Sequence, residues 1–295
     1  MTNTVDDGAP EFAIAAQLSW ASQVISEKLP DESSALFDSK LLLCHCLGCN
    51  LAYLHTWPDK PLSAKQRTDF KTLVEHRAAG HPVAYLLGYR DFWNLRLQVS
   101  NATLIPRPET ELLVETALQL PLPDKASVLD LGTGTGAIAL ALASEQPQWQ
   151  VSGIDKSFAA VQLARQNAQF NQLSAVSFEQ SDWFAQVDKQ KFDLIVSNPP
   201  YVEASSVYLT QGDVRFEPLS ALISGEDGLD DIRLIIAQAK DHLHAEGWLV
   251  LEHGYAQDAE IRYLFESNSY IDIQTILDLN GLARITLAKN CTERL

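Results

Sequence analysis

No apolar run in this 295-residue chain reaches the roughly eighteen residues that a membrane-spanning helix needs. The opening stretch, Met1 to Pro10, is acidic and lacks the basic start and apolar core of a secretory leader, so a cytoplasmic protein with no membrane partner is expected. Basic residues are scarce: 22 Lys and Arg stand against 38 Asp and Glu, for a formal net charge of −16. Proteins that grip a long phosphate backbone usually carry a basic surface, because neutralised phosphates and released counterions supply most of that affinity. DNA is therefore not expected as a direct partner. Only four cysteines occur, three of them in Cys44-His45-Cys46-Leu47-Gly48-Cys49. The string tempts one toward a zinc site, but Asp31 to Leu43 before it has the start signal and apolar spacing of a helix, on which residues two apart face different ways. Four ligands would converge only if the helix ended early and Cys291 or another His arrived from elsewhere. Thiols in a reducing compartment, with no metal, are the expectation. The chain also lacks internal repeats and low-complexity tracts.

What is present is a change of pattern along the chain. Glu11 to Lys28 and Asp31 to Leu47 carry apolar residues at helical intervals. Ser63 to Gln66 fits a capping box, followed by Phe70, Leu73 and Val74 as an apolar face and Gly80 as a stop. Residues 1–84 thus read as a small helical domain suited to recognition or packing. In 85–105, Leu95, Leu97 and Val99 alternate with polar residues, and Phe92-Trp93 fits the other arm of a hairpin linker. Pro108, Glu109 and Glu111 then suit a helix start, with Arg107 left over. From 106 to 295, strands at Ser127–Leu131, Val151–Ile154, Val176–Phe178, Phe192–Ser197 and Trp248–Leu251 alternate with helices. Two last apolar runs, Ile271–Leu277 and Leu282–Leu287, flank Asn280-Gly281 as an antiparallel edge hairpin. The predicted class is α/β: a mostly parallel sheet with helices on both faces, preceded by a small helical domain.

The chemistry concentrates at strand ends. Asn198-Pro199-Pro200-Tyr201 follows a buried-strand pattern. Two prolines cannot continue a sheet or enter a helix, and each biases the preceding residue toward extended backbone, which makes a stiff loop. Asn198 offers a side-chain carbonyl, its neighbours offer backbone carbonyls, and the prolines remove competing N–H donors, so the loop can accept both hydrogens of a planar –NH2 group. Tyr201 supplies a flat face. Alternatively, the tetrapeptide is a loop terminator with a core tyrosine.

Earlier strand ends suggest a nucleotide-type cofactor. Gly132-Thr133-Gly134-Thr135-Gly136 lies between a strand and a helix, where glycine lets the backbone turn and approach a ligand. Asp155 ends the next strand, placed to accept hydrogen bonds from ribose hydroxyls. Asp182 and Trp183 follow the third, offering an acceptor and an aromatic face for an adenine. Loop and acid alone do not separate a dinucleotide from S-adenosylmethionine. The fourth strand separates them: hydride transfer has no evident use for an amide-accepting loop, whereas a methyl donor needs a nitrogen held in line.

Val128 to Gly136, Asp155, Ser181-Asp182-Trp183 and Asn198 to Tyr201 resemble the motifs of class I S-adenosylmethionine-dependent N-methyltransferases. Arg107-Pro108-Glu109-Thr110-Glu111, Glu217-Pro218, Gly225 to Leu229 and Glu252-His253-Gly254 are similar more narrowly to bacterial peptide-chain-release-factor glutamine N5-methyltransferases. The resemblance spans nearly the whole chain; Ser224 departs from it, standing where a second glycine is expected. It implies a Rossmann-like methyltransferase sheet, S-adenosylmethionine as cofactor, and release factors as protein substrates, methylated on the glutamine of their Gly-Gly-Gln loop. Asn198, Pro199, Pro200 and Tyr201 would hold that amide, with Asn198, Pro199 and Tyr201 at the chemistry. Gly132 to Gly136, Asp155, Asp182, Trp183 and Asn198 would hold the cofactor. Two other readings are an adenine or guanine N-methyltransferase acting on nucleic acid, which the acidity disfavours, and a non-catalytic cofactor-binding adaptor, which has no need of an acceptor loop.

Overall fold

The computed structural model of the chain describes residues 10–30 and 34–291. The acidic stretch through Ala9 and the helix start expected at Asp31 lie outside the described residues. Contacts divide the chain into two units: one runs to Gly88 and takes in Thr210–Phe216, the other holds Tyr89–Leu209 and the chain from Glu217 onward.

The first unit is helical: α1 Ile14–Lys28, α2 Ala35–Leu47, α3 Leu51–Thr56, α4 Ala64–Ala78 and α5 Val83–Leu87. Ile14, Leu18, Ala21 and Ile25 recur at three- and four-residue steps, and that stripe of α1 packs with Leu42, Leu43, Phe70 and Val74 in one core. Helix α4 starts at the expected capping box, in which Ser63 N–H donates to Gln66 Oε1 (2.9 Å) and Gln66 N–H to Ser63 Oγ (3.4 Å). Helix α2 runs past Cys46 and is capped by Gly48 at φ 61°. Cys44 and Cys46 are half-buried, and burial pushes their thiols up to about 12 and about 11, away from the thiolate that a metal needs. Among the described residues, no three His, Cys, Asp or Glu side chains form a metal-binding group. Arg77 is buried, donating from Nε to Asp38 (2.8 Å) and from Nη1 to Asp213 (2.9 Å). The His81 and Phe216 rings lie 4.7 Å apart, so the returning segment is held at both Asp213 and Phe216.

The second unit begins with a hairpin, β1 Tyr89–Phe92 and β2 Leu95–Gln98, paired Phe92 with Leu95. Trp93 does not extend the first arm as expected; it sits in the turn at φ 56°, its N–H held by Glu111 (2.8 Å). A 3₁₀ turn at Pro108–Thr110 leads into α6 Glu111–Leu118. Then follow β3 Ser127–Leu131, α7 Ala137–Glu145, β4 Gln150–Asp155, α8 Phe158–Phe170, β5 Ser177–Gln180, β6 Phe192–Ser197, α9 Asp230–His242, β7 Leu243–Glu252, α10 Asp258–Ser267, β8 Tyr270–Leu277 and β9 Ala283–Asn290.

The seven-stranded order is β5-β4-β3-β6-β7-β9-β8, with β5 to β7 parallel and β9 antiparallel to both its neighbours. The expected edge hairpin is therefore present, its second arm lying inside its first. Strand β7 begins before the expected Trp248, because a register shift lets Leu243 pair with Phe192 ahead of the main ladder. Alternate residues feed opposite faces. Val128, Val151, Leu194 and Val250 pack with α6, α7 and α8, while Leu129, Leu131, Ile195 and Leu249 pack with α9 and α10. Burial on both faces explains why these strands read as continuous apolar runs. The order reverses between β3 and β6, and in open α/β sheets ligands bind outside the carboxyl ends at such a switch point.

Candidate active site

Gly132, Gly134 and Gly136 all have positive φ, at 69°, 54° and 84°, a backbone that other L-residues adopt only with strain. At Gly136, an added Cβ would sit 3.1 Å from Phe178 and 3.3 Å from Ala164, so the third glycine also lets α7 pack closely. Asp130 anchors the loop from beneath: its Oδ2 accepts from the Thr133 hydroxyl (2.6 Å) and from Ala139 N–H (3.3 Å). It is fully buried, and burial pushes its carboxyl up to about 7 against those two hydrogen bonds.

Asp155 closes over the same loop. One oxygen accepts Gly134 N–H (2.9 Å) and the other Ser157 N–H (2.8 Å), while the Ser157 hydroxyl caps α8. Each carboxylate oxygen keeps a lone pair for a further donor. Burial raises the Asp155 pKa, and the two backbone N–H groups oppose the rise. Asp182 pairs with Lys156 (2.9 Å) at the surface. Trp183 has φ 47°, and its ring lies 3.5 Å from the position of a Cβ on Gly132. Its Nε1–H donates to Asp231 (3.1 Å), whose other oxygen takes the Ser224 hydroxyl (2.7 Å). Ser224 Oγ also accepts Asp231 N–H (2.8 Å) in the first turn of α9, which gives the residue standing where a glycine was expected a structural use.

The glycine loop, Asp155, Trp183 and Asp231 contribute to the wall of a cavity of about 570 Å³, together with Thr110, Asn198 and Pro200. Gly132, Thr133, Gly134, Thr135, Asp155, Asp182 and Trp183 are all on its wall; Gly136, Pro199 and Tyr201 are not. Asn198 Nδ2–H donates to Thr110 Oγ1 (3.1 Å), leaving Oδ1 as the side of the amide that Thr110 does not take. Tyr201 turns its hydroxyl toward Glu252 (3.4 Å), and burial with that carboxyl alongside pushes the phenol's pKa well up. The Tyr201 carbonyl takes Gln257 Nε2–H (3.1 Å) and sits 2.3 Å from where a Cβ on Gly228 would lie, so glycine there lets the acceptor loop settle.

The sequence placed two supporting acids, Glu217 and Glu252, in motifs of the resemblance but gave neither a role. Glu217 is buried and accepts from Ile105 N–H (2.9 Å) and the Arg107 guanidinium, which accounts for the arginine left over. Glu252 is buried at the end of β7, its carboxyl pushed up to about 7 by burial and drawn back by the Thr110 and Tyr201 hydroxyls and by Arg284. The signal for it was an acid closing the apolar run Leu249-Val250-Leu251. Next to it, His253 Nδ1–H donates to the Gly254 carbonyl (2.9 Å) and Nε2 accepts from Thr286 (2.8 Å), a neutral tautomer that burial favours.

A glycine loop under an acid and a tryptophan, opening toward an asparagine whose NH2 is already engaged, suits methyl transfer to a nitrogen. The molecule is a class I, Rossmann-like methyltransferase. The comparisons narrow this. A family model described as "Methyltransferase small domain" matches residues 108–213, and one described as "PrmC N-terminal domain" matches residues 17–88. Release factor glutamine methyltransferase from Pseudomonas aeruginosa is 51% identical over 262 residues, 89% of this chain and 95% of that one. The protein of the same name from Shewanella oneidensis is 46% identical over 281 residues, 95% and 97% of the two chains. Among solved structures, a methyltransferase from Pyrococcus furiosus matches with a TM-score of 0.52 at 17% identity, over 76% of this chain and 100% of that one. The hMettl16 catalytic domain in complex with the MAT2A 3'UTR hairpin 6 matches with a TM-score of 0.56 at 17% identity, over 76% and 83%. These two share the fold. The chain belongs to the release factor glutamine methyltransferase family.

Proposed function

We infer that this enzyme transfers a methyl group from S-adenosylmethionine to the side-chain amide nitrogen, N5, of the glutamine in the Gly-Gly-Gln motif of peptide chain release factors. The observation that carries the reading is the engagement of Asn198 Nδ2 by Thr110, which leaves the asparagine carbonyl for a substrate N–H.

The cavity suits the cofactor. Positive-φ glycines bring bare backbone to its wall, Asp155 keeps acceptor capacity for ribose hydroxyls, and Trp183 offers an aromatic face. When bound, S-adenosylmethionine supplies an electrophilic methyl group on a sulfonium. The protein's part is to hold the acceptor. An amide nitrogen is a poor nucleophile because its lone pair is conjugated with its carbonyl. Asn198, on the cavity wall, is assigned one N–H bond at its Oδ1, and the carbonyl of Pro199, which is not on that wall, is assigned the other; together they would fix the nitrogen's direction and favour a geometry in which the lone pair is less delocalised. No strong base is required before transfer, and the proton that the nitrogen must shed once it carries the methyl group passes to solvent.

The helical unit is assigned recognition of the release factor, since the residues assigned to chemistry all lie after Arg107. Among the described residues, no helix is long and apolar enough to cross a membrane. The cytoplasm, where release factors act, is the proposed location.

The deciding experiment incubates the enzyme with labelled methyl donor and purified release factor and locates the label by mass spectrometry. Label on the target glutamine is expected; no label, or faster transfer to duplex DNA at equal concentration, sinks the reading. Asp155→Ala should weaken S-adenosylhomocysteine binding at least about tenfold, since a hydrogen bond to a charged group is worth roughly 1.5–3 kcal/mol. Calorimetric titration giving wild-type affinity would remove Asp155 from the cofactor site.

A further inference from the structure

We propose that the tip of the β8–β9 hairpin, with Leu279 at its apex and Leu277 and Leu282 at its base, is a docking ledge for the release factor beside its glutamine loop. This rests on the substrate reading above and adds a contact outside the cavity. The sheet register places the tip. Ser197, at the end of β6, pairs with Leu251 of β7, Leu251 with Thr286 of β9, and Thr286 with Thr275 of β8. Because β9 is antiparallel to both neighbours, β8 runs the same way as β6 and ends on the side of the sheet where the acceptor loop lies. Asn198 is thus three strands from β8, roughly 14 Å at the usual spacing of neighbouring strands. Strand β8 runs past Thr275 to Leu277 before the turn begins, so the tip stands on the order of 7 Å above the level at which β6 ends. A small acceptor entering at Asn198 would not reach it; a folded protein presenting a glutamine loop would.

The turn is built to hold an apolar apex. Asp278 organises it: its N–H donates to the Leu282 carbonyl (2.8 Å), its carbonyl accepts Gly281 N–H (2.9 Å), and its Oδ1 accepts both Asn280 N–H (2.8 Å) and Leu282 N–H (3.0 Å). Its Oδ2 takes Arg284 Nε–H (3.1 Å), and Gly281 supplies the φ of 77° that closes the turn. None of these bonds uses the side chain of Leu279, and turns favour Gly, Pro, Asn, Asp or Ser. Leu279 is nevertheless 106% exposed, as open as in an extended peptide, with Leu277 and Leu282 also exposed beneath it. Tyr255, past the end of β7, carries the patch on: its ring is exposed, and the Arg284 guanidinium lies 5.9 Å from its centroid. Single apolar residues are ordinary on a surface, but three leucines on one pinned turn, joined through Arg284 to a tyrosine, make a patch. With the turn already fixed, docking on it costs little ordering. A second copy of this chain seated there would stand over the acceptor loop and shut out a protein substrate. The position therefore favours the substrate itself as occupant, through an apolar patch flanking its glutamine.

The test uses the full-length enzyme and purified release factor, with binding to the S-adenosylhomocysteine-loaded enzyme followed by calorimetric titration and methyl transfer followed by steady-state kinetics. Leu279→Asp should raise both the Kd and the KM for release factor about tenfold or more, because it sets a charge where an apolar side chain is covered on docking. Its kcat, its affinity for S-adenosylhomocysteine and its thermal unfolding should match wild type, since that side chain touches neither the cavity nor a core. Leu279→Met, still apolar, should bind as wild type does. Phe170→Asp puts the same charge on an exposed aromatic at the end of α8, on the amino side of the sheet, and should leave the Kd unchanged. Wild-type enzyme that leaves release factor unmethylated overturns the substrate reading, and this proposal with it. Where wild type does methylate it, the proposal alone is overturned by a Leu279→Asp Kd and KM within about threefold of wild type, or by an equal loss in Phe170→Asp. Sedimentation in which Leu279→Asp dissociates a dimer while release-factor binding is unchanged would assign the tip to a second copy and overturn the proposal as well.

Discussion

Alanine at position 198 is expected to lower methyl transfer to release factor by on the order of a hundredfold and to leave affinity for S-adenosylhomocysteine near wild type. The size follows from comparison with the loss of one preorganised polar contact to a reacting group. The direction follows from the placement of Asn198 at the carboxyl end of β6, its Nδ2 engaged by Thr110, and from the proposed use of its carbonyl to hold the acceptor. Were the residue only a turn former ahead of two prolines, alanine would cost some stability and little turnover. Single-turnover rates and calorimetric titration of the same preparation separate the two. Turnover within about threefold of wild type would end the glutamine-amide mechanism.

The second large effect is on stability, at Asp130. Its folded pKa is raised to about 7 from an ordinary 3.8 by burial. A carboxyl raised on folding holds its proton more tightly in the folded state. Its contribution is fully present below the unfolded value, falls as pH rises between the two values, and is gone above the folded one. For this shift the loss between pH 5 and pH 8 is on the order of 2–3 kcal/mol. Asparagine cannot ionise, and its carbonyl can still accept from Thr133 and Ala139. Urea unfolding at the two pH values should therefore show Asp130→Asn losing less stability than wild type on going to pH 8. Equal losses would mean that Asp130 is not the group that titrates.

How much of this was legible depended on whether a residue's role is local. The glycine loop could be read because its backbone demands positive φ between a strand and a helix, and Asn198 because two prolines after an apolar run leave few conformations. The strands could be placed because burial on both faces makes them apolar throughout. Trp93 was misplaced because a bulky aromatic at φ 56° in a turn contradicts its own preference, and only Glu111 holding its N–H makes sense of it. The bond from Asn198 to Thr110 joins residues 88 apart, and that from Arg107 to Glu217 residues 110 apart, so neither has a local signature. The short α3 and α5 carry too few turns for periodicity to register.

The return of Thr210–Phe216 to the helical unit bears on the order in which the chain becomes a protein. On a ribosome the five helices emerge first, yet Arg77 meets Asp213, and His81 meets Phe216, only after β6 and the acceptor loop have been made. Until then Arg77 has Asp38 but lacks its second carboxylate. The N-terminal unit is thus finished late, by a strap translated with the catalytic half. A fragment that begins after the hairpin would carry that strap with nothing to receive it.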